Sequence, residues 1–207
     1  VPLDGPADSE FELDSTPLEI GEPAAPSDSA DTVYGREIEL EGAPAYPLGP
    51  LEEGFQTAVG VLNTSRWLNA LGSAGLMRRA FMVASEFARE REAFGRVISD
   101  YALVRENLAV MKAEADAALA STMELTGLVD RIDKGEAGEE DVAWHRLLVN
   151  ANKVVTSLAA TKVVRRAIET LGGNGTIEDF SPLPRLYRDS IVFESWEGTH
   201  NVLCAQV

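Results

Sequence analysis

The sequence predicts an all-α fold, an antiparallel helical bundle, on three observations. Beyond Leu51, apolar residues recur at helical spacing through three long stretches, rather than alternating as in half-buried strands. Glycines separate these stretches, Gly135 and Gly138 after the second and Gly172-Gly173 after the third, where helices commonly end. Eight of the ten prolines lie within the first 50 residues, so the long stretches are free of the strongest helix breaker.

Residues 1–35 are rich in Pro, Ser and Asp and poor in large apolar side chains. Such a composition cannot offset the entropy of ordering, so this part reads as an acidic linker or disordered segment. Within 36–50, Arg36 to Glu41 alternates polar and apolar residues as a short strand would, and Pro44, Pro47 and Pro50 punctuate a turn region. A lone strand does not stand by itself in water, which implies a sheet outside this chain. The helical domain occupies 51–207. Its first helix runs from Leu51 to about Arg91, with Ala58, Gly60, Ala70, Gly72, Ala74 and Gly75 allowing close approach of neighbours and a bend expected near Gly72 or Gly75. A second runs from about Asp100 to Lys134, with Leu103, Leu108, Met111, Ala115, Ala118 and Met123 among its apolar positions. A third spans about Glu140 to Leu171, with Leu147, Ala151, Val154, Val155, Leu158 and Val163 expected along its core face. Short helices follow at Pro182–Val192 and from Thr199 onward.

The net charge of −16 is uneven: residues 1–53 hold 14 acids against one base, Arg36, whereas 54–207 hold 20 acids and 17 bases. No basic block or stripe stands out, which disfavours binding to nucleic acid or to an anionic membrane. No apolar run is long enough for a transmembrane helix, and the start, Val1-Pro2-Leu3-Asp4, has no signal-peptide pattern. The lone cysteine, Cys204, excludes an internal disulfide framework and fits a reducing, cytoplasmic setting. The absence of an initiating Met suggests a processed or partial product.

Chemistry-bearing motifs concentrate in the last third. In Trp196-Glu197-Gly198-Thr199, Thr199 is a candidate N-cap, Gly198 permits a turn that a Cβ would resist, and Glu197 sits at a fixed place outside a helix N-terminus. That suits either a general base or a carboxylate that complements the helix dipole, with Trp196 able to exclude water. Leu171-Gly172-Gly173-Asn174-Gly175 exposes backbone N–H groups for an anion or simply ends a helix; no strand precedes it, so it is not the dinucleotide fingerprint. Arg188-Asp189 reads as a buried ion pair. Arg91, near the end of the first helix, suits a phosphate and Phe94 a flat ring, while a surface Arg and a core Phe are the ordinary alternatives. Arg66, inside that helix among apolar residues, needs a carboxylate partner or an anionic ligand if buried. His145 and His200 are too far apart in sequence to read as a metal pair, and no Cys/His cluster supports zinc.

Taken in order, these residues resemble the C-terminal helical domain of the acyl-CoA dehydrogenases, over roughly Pro47 to Val207. The resemblance rests on Pro47-Leu48-Gly49, Gly54-Phe55, Asn63, Arg66, Arg91-x-x-Phe94-Gly95, Leu108-Ala109-x-Met111, Leu171-Gly172-Gly173-Asn174-Gly175, Arg188-Asp189 and Glu197-Gly198-Thr199. It implies that Glu197 removes the α-proton of an acyl-CoA thioester while the β-hydride passes to FAD, with the Glu197 backbone N–H binding the thioester oxygen. It also implies that Arg91, Phe94, Glu169, Gly172 and Gly173 hold the ADP part of FAD across a subunit interface. Thr199 and Asn201 would contact the flavin, and Arg66, Trp196 and Gly198 would face the substrate.

An electron-transfer flavoprotein as acceptor and a homotetramer built as a dimer of dimers are further implications of the resemblance. Some members carry the base on the first long helix, at the place of Ser65, which cannot do that work. Ala102, Glu169 and Trp196 depart from the usual Gln, Gln and Tyr. Trp196-Glu197-Gly198 with Cys204 is also similar to the alkylation-response branch, whose association with DNA the acidic balance argues against. A non-catalytic helical assembly subunit is the alternative reading. Residues 1–46 are too short for the family's N-terminal helical and middle β-domains, so the chain is expected to be a fragment or one partner of a split enzyme. Arg36–Glu41 would then be the last strand of a truncated β-domain.

Overall fold

The computed structural model describes residue 46 and residues 49–206, so the acidic segment 1–35 and the candidate strand Arg36–Glu41 lie outside the described residues. A short 3-10 turn at Leu51–Glu53 leads into α1 (Gly54–Glu90), which passes through Gly72 and Gly75 as one uninterrupted helix. A two-residue antiparallel hairpin follows, β1 (Glu92–Ala93) paired with β2 (Arg96–Val97). Then come α2 (Ala102–Asp133), α3 (Glu139–Leu171), α4 (Leu183–Ser195) and α5 (His200–Cys204). The expected helical bundle is therefore present. The hairpin is an addition: Phe94 and Gly95 both take positive φ, 52° and 85°, as the central pair of a tight hairpin turn must.

Side-chain bonds fix the directions of the long helices. Asn107 reaches Arg166 and Ser121 reaches Asn152, so α2 runs antiparallel to α3. Trp67 donates to Thr126, and the short hairpin returns the chain from α1 into α2. Thus α1 and α3 run parallel to each other, with α2 opposed to both. The core between them is built from small residues: Ala70, Ala74, Ala80, Ala84 and Ala88 on α1, Ala115 and Ala118 on α2, Ala160 and Ala167 on α3. Small side chains sacrifice buried area but let helix axes approach closely. Met77 and Met111 fill the gaps, and Leu183 and Leu186 of α4 close the cluster. A smaller cluster, Leu125, Leu128 and Val149 against Trp67, lies toward the other end.

The buried face of α3 differs from the expected one. Val155 is 64% exposed and Leu147, Ala151, Val154 and Leu158 are half-buried, while Val149, Asn150, Lys153, Thr156, Ser157 and Ala160 are buried. The apolar periodicity misplaces the stripe because its inner positions are polar over two turns. On α2, Leu103 and Met123 face outward whereas Met111, Ala115 and Ala118 lie in the core. The connection from α2 to α3 is clasped by Arg131 and Asp141 at 3.0 Å, and this bond holds the Asp141 carboxyl below its ordinary range.

Gly172 ends α3 at φ 64° and ψ −139°, a backbone conformation that side-chain-bearing residues avoid. A 3-10 turn at Gly172–Thr176 follows, tucked against the helix it leaves. At Gly175 a Cβ would stand 2.5 Å from the Ile168 carbonyl oxygen, and that backbone cannot swing aside. Gly173 has nothing within 4 Å of its Cβ position. Gly175→Ala is therefore expected to destabilise the domain by about 1–3 kcal/mol, as overpacking does. Gly173→Ala is expected to leave stability nearly unchanged. Urea unfolding of both variants checks this, and equal midpoints would contradict the close-packed turn.

Candidate active site

The segment from Phe193 to His200 joins α4 to α5 and is held by side chains that α1 and α3 project between them. Carbonyls in the last turn of a helix lack intrahelical partners. Here Asn69 Nδ2 donates to the Phe193 carbonyl at 3.0 Å and Lys153 Nζ to the Glu194 carbonyl at 3.0 Å. Lys153 also donates to the Gly198 carbonyl at 3.1 Å. Its side chain is fully buried, which pulls the ammonium below its ordinary range, opposed by the Glu197 carboxylate and reinforced by the Arg66 charge.

Glu197 takes φ 57° and Gly198 φ 102°, so two consecutive residues occupy positive φ. For Glu197 this conformation is uncommon and persists only where the surroundings over-determine it. Arg66, 4% exposed, donates through Nε to the Glu197 carbonyl at 3.0 Å. Its Nη1 lies 3.1 Å from Asn63 Oδ1, 2.9 Å from Asn150 Oδ1 and 3.1 Å from Gln206 Oε1. Nε and Nη1 thus bond protein acceptors, and burial lowers the guanidinium pKa against the pull of Glu197. A Cβ at Gly198 would stand 3.3 Å from Leu203 Cδ2 and 3.5 Å from Arg66 Nη2, so space as well as φ favours glycine there.

The Glu197 carboxylate is oriented by Ser65, whose hydroxyl donates to Oε1 at 2.5 Å. Its other oxygen, Oε2, is buried and has no hydrogen-bond partner among the described residues. The neighbouring Trp196 ring stacks on Phe193 at 5.0 Å, and its Nε1 is likewise buried and unpartnered among the described residues. Phe193 packs against Gly72, where a Cβ would come within 2.6 Å of the ring. Adjacent residues therefore present an orphaned acceptor and an orphaned donor beside a flat aromatic wall. Buried polar atoms in native proteins usually find partners, so such a pair marks a place where a ligand can complete the bonding.

Thr199 occupies the N-cap position of α5 but makes no side-chain capping bond, and it and Asn201 are exposed beside Glu197. His200 Nε2 lies 3.2 Å from Ser157 Oγ, whose single proton is placed to reach the Lys153 carbonyl at 2.8 Å. The hydroxyl then accepts from His200, which assigns the Nε2–H tautomer. Thr161 bonds the Glu194 carboxylate.

A second group of the expected residues gathers at the far end of α1 and α3. Arg91, Glu169, Gly172 and Gly173, with Phe87 and Asn174, line an open hollow of about 410 Å³. Phe94 does not join it; the ring sits at the hairpin tip, 97% exposed. Arg188 pairs with Glu178 in the loop before α4. Sequence reasoning missed Ser65 as a partner of the carboxylate, and missed Lys153 and Asn150 altogether. A lysine amid the apolar residues of α3 was the available signal, though such a side chain ordinarily snorkels to solvent. Among the described residues no group of His, Cys, Asp and Glu could hold a metal, and no helix is long and apolar enough to cross a membrane.

The geometry generates a pH dependence. Burial first, then the Lys153 charge, holds the His200 pKa below its ordinary value of 6.5, against the pull of Glu194. The unfolded chain then takes up the proton first as pH falls, so this contribution is full above about pH 6.5 and is lost on acidification. His145, lowered by burial, acts in the same direction. Urea unfolding at about pH 7.5 and about pH 5.5 is expected to show lower stability at the acid value, with a smaller difference in His200→Gln. An undiminished difference in the variant would contradict the assignment.

Comparison with known proteins places this geometry. Residues 52–207 match the family model described as acyl-CoA dehydrogenase, C-terminal domain. The chain is 34% identical over 171 residues to the putative acyl-CoA dehydrogenase AidB of Escherichia coli, covering 83% of this chain and 31% of that protein. Among solved structures, Caenorhabditis elegans ACDH-11 in complex with C11-CoA superposes with a TM-score of 0.73 at 31% identity, covering 76% of this chain and 26% of that one. An acyl-CoA dehydrogenase from Bacillus anthracis complexed with FAD gives a TM-score of 0.69 at 27% identity, over 75% of this chain and 28% of that one. The chain spans about a third or less of the length of these relatives.

Proposed function

Because this chain belongs to the acyl-CoA dehydrogenase family, we propose that it is the C-terminal part of an FAD-dependent enzyme that dehydrogenates an acyl-CoA thioester across its α,β bond. One observation carries the reading. Glu197 stands in a doubly left-handed turn with one carboxylate oxygen tethered by Ser65 and the other buried without a partner among the described residues. A base needs a fixed carboxylate with one oxygen free for the incoming proton, and Oε2 meets that need. The relative solved with C11-CoA supports the thioester as substrate class.

The residues present fit FAD. Open space at the Cβ positions of Gly172 and Gly173 admits a close-lying anionic group, and Arg91 places a cation in the same hollow. Arg91, Glu169, Gly172 and Gly173 would hold the ADP part, Thr199 and Asn201 the flavin part. When bound, FAD supplies the acceptor for the hydride that leaves the β-carbon. Glu197 Oε2 takes the α-proton, and the Glu197 backbone N–H steadies charge on the thioester oxygen. Trp196 and Phe193 wall off water on one side, while Arg66 acts on substrate through the backbone it fixes.

The two groups of cofactor residues lie far apart along α3, one beside its middle at Lys153 and the other at its C-terminal end. From Lys153, which holds the Gly198 carbonyl, to Gly172 the helix rises about 28 Å. That separation supports a cofactor shared between two copies of the chain, and hence the dimer-of-dimers assembly that the resemblance implies. An electron-transfer flavoprotein as the acceptor completes the proposal.

In the full-length holoenzyme, Glu197→Gln keeps shape but removes the proton acceptor. Flavin bleaching by acyl-CoA in a stopped-flow instrument is expected to slow by about 10²–10⁴-fold, with acyl-CoA still bound. Bleaching at the wild-type rate would assign the base elsewhere.

A further inference from the structure

We propose that Lys153 is a positioning residue that clamps both flanks of the turn carrying Glu197. Its ammonium donates to the carbonyls of Glu194 and Gly198, three residues before the base and one after it. An ammonium buried in a helix core carries a large desolvation cost, which an apolar side chain at the same place would avoid. Filling space between α3 and the turn therefore does not account for a lysine. What the ammonium adds is a pair of charge-assisted bonds to two carbonyls that the turn leaves outside any helix ladder. The Glu194 carbonyl belongs to the last turn of α4, where a cation is favoured, and the Gly198 carbonyl lies just ahead of α5.

Asn69 bonds the Phe193 carbonyl before the turn and Ser157 meets His200 after it, whereas Lys153 bonds the backbone on both flanks at once. Arg66 holds the Glu197 carbonyl and Ser65 its carboxylate, but neither fixes where the turn begins and ends. Glu197 and Gly198 at φ 57° and 102° can relax toward ordinary backbone if either flank slides. Lys153 prevents the slide from both sides with one side chain. Both of its bonds go to backbone carbonyls, so it acts through the turn. In catalysis this rests on Glu197 being the base, whereas the clamp itself does not.

Two readouts on the full-length protein separate these claims. Amide hydrogen exchange followed by mass spectrometry reads the clamp with no reference to activity. In Lys153→Met, peptides covering 194–204 are expected to exchange about tenfold faster or more, with the α1 and α2 core unchanged. Lys153→Gln, which keeps a neutral donor of shorter reach, is expected to fall between the two and provides the same test if the Met variant does not fold. Unchanged exchange at 194–204 in a folded variant overturns the proposal. The second readout is flavin reduction at saturating acyl-CoA. Lys153→Met is expected to slow it by about 10²-fold with FAD content and acyl-CoA affinity retained, as misplacement of a reacting group does. In a Glu197→Gln background the same change is expected to add nothing further. A loss that multiplies fully with Glu197→Gln, or equal rates in Lys153→Met and wild type, overturns the catalytic part. A wild-type protein that no acyl-CoA reduces sinks the reading of the reaction instead, and the exchange result still decides the clamp.

Discussion

Two buried cations, reaching from parallel helices to the backbone of a single turn, are the constraint on which this architecture depends. Arg66 of α1 and Lys153 of α3 bond the carbonyls of residues 194, 197 and 198, and between them the chain takes two consecutive left-handed steps. Burying such charges is costly unless they are paired and hydrogen-bonded, and here the partners are backbone carbonyls and side-chain amides gathered around the turn. The alanine stripes of α1 and α3 become intelligible in this light. Only closely packed helices let two side chains of ordinary length meet on the same short segment. Removing either cation orphans several acceptors at once, which is why the bonding reads as one unit.

The two sites along the bundle do different work. Around Glu197 the structure is aromatic and densely bonded, with a single carboxylate oxygen and an indole N–H buried and unpartnered among the described residues. Around Gly172 it is open, glycine-rich and lined by Arg91 and Glu169. The first arrangement suits chemistry that needs exact placement; the second suits holding a charged group by its backbone contacts.

The sequence showed most of the fold because long helices announce themselves by period and by their glycine ends. Gly172 closing α3 and Gly198 turning ahead of α5 both follow from what a Cβ forbids. The buried face of α3 escaped because apolar periodicity assumes an apolar interior. Asn150, Lys153, Thr156 and Ser157 occupy the inner positions there, since that part of the interior binds the turn. The hairpin at Glu92–Val97 escaped for a different reason: Phe94 is not a residue that suggests positive φ. Ser65 looked inert because it cannot itself be a base, yet a hydroxyl beside a carboxylate is well suited to orient one. Pairings between residues more than a hundred positions apart, such as Ser65 with Glu197, leave no local trace in a single sequence.

In the proposed reaction Glu197 is a base aimed at the α-carbon of a bound thioester. The most direct measurement is the rate of anaerobic flavin reduction in the full-length holoenzyme with acyl-CoA deuterated at the α-carbon, set against the unlabelled substrate. Reduction is expected to be slower with the labelled substrate, because the bond to the α-hydrogen breaks at the step Glu197 promotes. Reduction at equal rates, with chemistry shown to be the slow step by a β-deuterium effect, would contradict it.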